Sequence, residues 1–187
     1  VDDVVEPRAP EPAFIGARTF EPSLDELVPF IDWSPFFASW ELIGRFPQIL
    51  EDDVVGQAAT DLYREAREML DKVVAEKGCW AKGGSGCGSA QADGDDIVLY
   101  ADETRTTELS RLFTLRQQMD KGEGKQNVAL SDFVAPVGQG GDYVGGFAVT
   151  AGHGEDEIVK TFKDAGDDYS AIMASALADR LAEAFAE

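Results

Sequence analysis

Apolar positions recur at helical spacing in some stretches of the chain and gather into short bounded runs in others. The clearest helix spans 54–76, where Val55, Ala58, Ala59, Leu62, Ala66, Met69, Leu70 and Val73 make one stripe. Arg64, Glu65, Arg67, Glu68 and Lys72 occupy most of its other side, Asp52-Asp53 offers the N-cap, and Gly78 marks the end. A second long helix over 168–187, capped by Asp167-Asp168, places Tyr169, Ile172, Met173, Ala176, Leu177, Arg180, Leu181 and Ala184 on one face. Shorter helices are predicted over 24–31 and 155–163. Another follows Ser34 as N-cap and Pro35 as first helical residue, with Phe36, Phe37, Trp40 and Ile43 aligned. One more follows Asp102-Glu103-Thr104 and carries Leu109, Leu112, Phe113 and Arg116.

Apolar runs predict strands at 14–20, 97–100, 128–135 and 143–150, the last two paired antiparallel. The expected fold is therefore α+β, a mainly antiparallel sheet packed with several helices including a long C-terminal one. The segment 78–94 holds six glycines around Gly83-Gly84-Ser85-Gly86-Cys87-Gly88. No Gly-Lys-Ser/Thr follows to make a phosphate cradle, so it reads as a flexible loop or inserted linker, the most mobile internal segment. Residues 1–13, with Pro7, Pro10 and Pro12 among acidic residues, read as an N-terminal arm or interdomain linker, and 14–187 as a single domain.

Charge narrows the partners. Sixteen Lys and Arg against 36 Asp and Glu leave a net charge of −20 over 187 residues, which repels phosphate backbones and anionic lipid surfaces. Nucleic acid and membrane are set aside, and a partner with a basic docking face is compatible with this acidity. No apolar run is long enough to span a bilayer, and cytoplasmic placement is the default. Cys79 and Cys87 lack metal-pair spacing, and the single histidine, His153, is expected in a loop, so no zinc site or Cys-His nucleophile is read.

The densest chemistry lies over 30–42, which holds five of the fourteen Phe and Trp residues beside Asp32. With Phe30, Ile31 and Trp33 as neighbours, the Asp32 carboxylate is either an exposed helix cap or a partly buried acceptor needing a donor. Ile31-Asp32-Trp33-Ser34-Pro35-Phe36-Phe37, followed by Trp40 to Leu50, resembles the opening of the activation (reactivation) domain of cobalamin-dependent methionine synthase. Matching blocks continue in order: Asp95-Asp96-Ile97, Asp102-Glu103-Thr104-Arg105-Thr106, Leu115-Arg116-Gln117-Gln118, Asp132-Phe133-Val134-Ala135-Pro136, Asp142-Tyr143-Val144-Gly145, Phe147-Ala148-Val149-Thr150, Asp167-Asp168-Tyr169 and 176–185. The glycine-rich stretch departs from the family, which carries an apolar strand there, and so puts the sheet in question.

The resemblance implies that Asp32 and Glu183 contact S-adenosylmethionine, and that the chain supports reductive methylation of cob(II)alamin held by a cobalamin-binding domain. Flavodoxin or a similar donor would supply the electron. A carboxylate suits the donor's ammonium and cationic sulfonium groups, while Glu183 also fits an ordinary solvated helix carboxylate. The cobalamin motif Asp-x-His-x-x-Gly and the zinc-thiolate sites of the family are absent from these residues, so methionine synthesis by this chain alone is not expected. The family's downstream Arg-x-x-x-Gly-Tyr-Pro-Ala-Cys-Pro segment is absent too, and the helix pattern stops at Glu187 in mid-course, which reads as a domain truncated on its C-terminal side. Two further readings stay open: an acidic module that docks on a cobalamin protein without binding the methyl donor, and a remodelled variant.

Overall fold

The computed structural model describes residues 9–187, so most of the expected arm lies outside the described residues. In chain order the elements are β1 (Gly16–Phe20), α1 (Leu24–Leu27), α2 (Trp33–Ser39), α3 (Gly56–Glu76), β2 (Trp80–Asp93), β3 (Asp96–Tyr100), β4 (Glu108–Phe113), β5 (Asp142–His153), α4 (Glu155–Asp164) and α5 (Asp168–Ala186). The mainly antiparallel sheet has the order β1-β2-β3-β4, with β5 also paired to β2. The fold is α+β as expected.

Local chemistry explains the helix ends. Glu26 accepts from both the N–H and the hydroxyl of Ser23, at 2.9 and 3.0 Å, closing a capping box on α1. Asp32 caps α2 by accepting from Ser34 N–H at 2.9 Å, which corrects the expected assignment: Ser34 is the second helical residue and Pro35 the third. Asp52 accepts from Val54 and Val55 N–H just ahead of α3, and Asp167 caps α5 through Ser170 N–H at 3.0 Å. At the far end of α3 the left-handed residue is Lys77, φ 52°, rather than the expected Gly78.

Three expectations fail in instructive ways. The loop expected over 78–94 is β2, the strand that pairs with β1, β3 and β5. Glycine hides strand periodicity because it has no side chain to alternate, and it is selected where something must lie on the backbone. A Cβ on Gly83 would stand 2.7 Å from the Phe185 ring and 2.9 Å from Val149. The helix expected after residue 104 is β4, antiparallel to β3 with Ile97 opposite Leu112 and Val98 opposite Arg111. Arg105 adopts φ 54°, which breaks helical continuation. The strand expected over 128–135 is instead a 3-10 turn at Leu130–Phe133. Pro136 brings no N–H, and the segment meets β2 only at a parallel bridge, where Ala92 N–H donates to Ala135 and Val137 N–H donates to Ala92, both at 2.9 Å. Its expected antiparallel pairing with 143–150 is absent, and β5 pairs with β2 instead.

The described chain forms two compact units. The first holds residues 9–18 and Ser85–Gly146, the second Thr19–Gly84 and Phe147–Glu187. The large hydrophobic core belongs to the second, where Trp33, Phe36, Phe37, Ile49, Leu62, Leu70, Met173, Leu177 and Leu181 are buried. Trp33 meets Tyr63 edge-on at 4.8 Å and Phe36 at 5.5 Å, and Phe37 stacks on Phe46 at 6.2 Å. Ile43, expected on the aromatic face, is 89% exposed because α2 stops at Ser39. On α5 the buried face is drawn toward small residues, with Ala171, Ala174 and Ala178 inside and Ile172 outside.

Candidate functional site

Both predicted site residues belong to the second unit and both are exposed. Asp32 is the exposed helix cap of the two alternatives. Its Oδ1 is committed to Ser34 N–H, and among the described residues no hydrogen bond engages Oδ2. Glu183 lies in the last turns of α5, between buried Leu181 and Ala184, and makes no hydrogen bond to a described residue.

The segments that carry them come together at a groove of about 500 Å³, within the size range of small-molecule pockets. Phe30, two residues ahead of Asp32, and Ala184, next after Glu183, are both in its wall, with Phe20, Leu27 and Phe185 adding apolar surface. Asp32 and Glu183 are not among its lining residues. Glu21, Glu26 and Glu187 are. Glu21 pairs with Lys82 at 3.1 Å, and Glu26 is held below the usual carboxylate range by the Ser23 N–H and then the Ser23 hydroxyl. An apolar wall with an anionic rim suits a ligand with an apolar body and a cationic group. The Ser-x-x-Glu spacing of Ser23 and Glu26 is a signal that could have found Glu26 but was not read from the sequence, and nothing local points to Phe30 and Phe185 sharing a wall.

His153, expected in a loop, is the last residue of β5 and stacks on Trp80 at 3.8 Å. Cys79 is buried, and burial followed by the nearby Glu155 charge pushes its thiol up, away from the reactive thiolate.

In the first unit, separate stretches of sequence are tied by charged clasps. Arg116 donates to both carboxylate oxygens of Asp132 at 2.7 Å, to Asp95 at 2.6 and 3.0 Å, and to the Asn127 carbonyl at 2.8 Å. Asp132 also accepts from Ala129 N–H at 2.9 Å, and Arg116 and then this N–H hold its carboxyl down at about 2. A second clasp joins 102–106 to 142–145. Arg105 donates to the Asp142 carbonyl at 3.2 Å and lies over the Tyr143 ring at 5.5 Å, while the Tyr143 hydroxyl donates to Glu103 at 3.3 Å.

The model of the activation domain of vitamin B12 dependent methionine synthase matches residues 23–187. The chain belongs to this family. It is also similar to a solved structure described as the crystal structure of the MetH reactivation domain bound to AdoHcy, with 47% identity, TM-score 0.92, and coverage of 96% of this chain and 55% of that one. The chain thus spans about half the length of the reactivation domain it matches. Within this activation-domain chain the recurrent blocks have distinct physical tasks. The Asp95, Arg116 and Asp132 blocks meet in one clasp, and the Arg105 and Tyr143 blocks in the other. The aromatic block at Trp33 fills the core, and among the described residues neither Asp32 nor Glu183 has partners for both carboxylate oxygens.

Proposed function

We propose that this chain is the part of a reactivation domain that helps hold S-adenosylmethionine for the cobalamin of a neighbouring domain, in the cytoplasm. The observation that supports it is the match, over 96% of the chain at 47% identity, to a reactivation domain solved with AdoHcy, the product the donor leaves after losing its methyl group. When bound, S-adenosylmethionine supplies a methyl group which, with one electron from flavodoxin or a similar carrier, returns cob(II)alamin to methylcobalamin and releases AdoHcy. In this reading Asp32 presents Oδ2 to the donor's ammonium, Ser34 N–H fixes the carboxylate's orientation through Oδ1, and Glu183 faces the cationic side of the ligand. Exposed carboxylate oxygens that accept no hydrogen bond from a described residue, Oδ2 of Asp32 and both of Glu183, suit such a ligand.

Two carboxylates are only part of a site. Charge-assisted hydrogen bonds contribute roughly 1.5–3 kcal/mol each, while micromolar affinity takes about 8 kcal/mol. The 187-residue chain alone is therefore expected to bind S-adenosylmethionine weakly or not at all. A chimera joining it to the portion of the matched reactivation domain that it does not span should bind in the micromolar range by calorimetry. Asp32→Asn or Glu183→Gln should each weaken the chimera roughly 10-fold or more. Micromolar binding by the chain alone, weakened by both substitutions, would show the site to be complete within these residues. A folded chimera that binds no donor yet still associates with a cobalamin-binding domain would favour the second reading, an acidic docking module, for which the net charge of −20 is the supporting observation.

A further inference from the structure

The turn that leads into α2 is fixed on both sides of Asp32. Ile31 before it and Trp33 after it are buried, and the Trp33 ring is wedged between Tyr63 and Phe36. The Asp32 side chain itself projects into solvent, where an aspartate is free to sample its rotamers. One hydrogen bond restrains it, from Ser34 N–H to Oδ1. Such a restraint is only as steady as the N–H that provides it, and this N–H lies in the first turn of a seven-residue helix, where no preceding turn holds the backbone and fraying is easiest. The Ser34 side chain supplies what the short helix lacks. Because Asp32 caps the helix, the Ser34 hydroxyl is not needed as the cap, and its oxygen instead accepts from Phe46 N–H at 3.2 Å, twelve residues further on. Phe46 is a firm support. Its ring stacks on Phe37 and lies 5.1 Å from Tyr63 and 6.4 Å from Trp33, all within the second unit. Ser34 is therefore held twice, through its main chain to Asp32 and through its side chain to the segment anchored in the aromatic core.

We infer that the Ser34 hydroxyl is a positioning group for Asp32, a link that runs from Phe46 N–H through residue 34 to the carboxylate that meets the ammonium of the methyl donor. The inference rests on the methyl-donor reading above and adds to it how Asp32 is aimed. Ser34 touches no ligand in this account. It keeps Oδ2 pointing outward before the ligand arrives, so less side-chain freedom is lost on binding. Alanine at this position removes the link without changing any charge, and threonine keeps the hydroxyl that makes it.

Two measurements test it. In the 187-residue chain, Ser34→Ala should speed amide exchange at Phe46 and at residue 34 by roughly 10-fold while leaving α3 unchanged, and Ser34→Thr should keep both amides protected. Unchanged exchange at the two amides overturns the link. A Ser34→Ala chain that does not fold overturns it too, because the hydroxyl would then hold the fold and not the carboxylate. The second measurement is calorimetric titration of the chimera with S-adenosylmethionine. Ser34→Ala should weaken binding roughly 3- to 10-fold, Ser34→Thr should bind close to the unsubstituted chimera, and Ser34→Ala should add no further loss where Asp32→Asn is already present. Equal losses with and without Asp32→Asn overturn the inference, since a general loosening of the site would act in both backgrounds. Weakening by Asp32→Asn with none by Ser34→Ala removes this inference and leaves the proposed function standing. A chimera that is indifferent to Asp32→Asn, or that binds no S-adenosylmethionine, removes the proposed role of Asp32 and this inference with it.

Discussion

The two units of this chain are stabilised by different physics. In the second, aromatic and aliphatic side chains are fully withdrawn from water, Phe37 at 0%, Leu70 at 0% and Leu181 at 1% exposure, and burial of apolar area dominates. In the first, the described buried apolar side chains are Ile97, Val98 and three alanines while many large ones face solvent, so cohesion falls more to backbone pairing and to arginines that each bind two carboxylates. The lesson concerns conditions as much as energies. A hydrophobic core is indifferent to mild changes of pH and salt, whereas exposed ion pairs are sensitive to both. The unit with the weaker core also contains β4, the last strand in the sheet order.

Removing a core ring should have the largest effect. Phe37→Ala deletes a fully buried side chain stacked on Phe46, and a loss of about 3–5 kcal/mol is expected from urea unfolding, with faster amide exchange in α3. A loss below about 1 kcal/mol would mean that the second unit does not depend on its core as described.

Breaking the clasp should matter less and should show in the first unit. Arg116→Met is expected to speed exchange in β3 while leaving α3 unaffected. It also carries a pH signature. Asp132 has its carboxyl lowered from 3.8 to about 2 by Arg116 and then by Ala129 N–H, so its contribution is present above the unfolded value and is lost as pH falls through about 2. The native protein should therefore loosen first in β3 between pH 3.8 and about 2, and the variant should lose this step. Simultaneous acid loosening of β3 and α3 would erase the contrast between the units.

The smallest effect is expected from a polar contact in the core-rich unit. The Tyr169 hydroxyl donates to Glu65 at 2.6 Å, and burial followed by this carboxylate pushes the phenol up from 10.0 to about 12. A raised phenol keeps its proton longer when folded, so its contribution is complete below pH 10.0 and is lost as pH rises through about 12. Tyr169→Phe should cost about 0.5–1 kcal/mol at neutral pH, the low end for a partly exposed hydrogen bond, and should flatten the alkaline fall in stability. An unchanged alkaline profile would show that the contact is not stabilising.

What sequence by itself determined is what neighbours in sequence decide. Helices α3, α4 and α5 were legible because their apolar stripes repeat every turn, and the cap at Asp167 because a side-chain oxygen three residues from an N–H leaves little freedom. The chemistry of Asp32 and Glu183 was legible only as residue type and motif. Tertiary structure decided the rest. Whether 104–116 became helix or strand turned on β3 being available as a partner, since Leu109, Leu112 and Phe113 suit either spacing. The glycines of β2 carried no pattern to read, because the reason for Gly83 is the Phe185 ring, about a hundred residues away in the chain and pressed against its backbone. The 128–135 run looked like a strand by composition, yet Asp132 was drawn to Arg116 and turned the backbone with it. A groove built from Phe30 and Phe185 has no signature in either segment, for it exists only once the helix that closes the chain packs beside the turn that leads into Asp32.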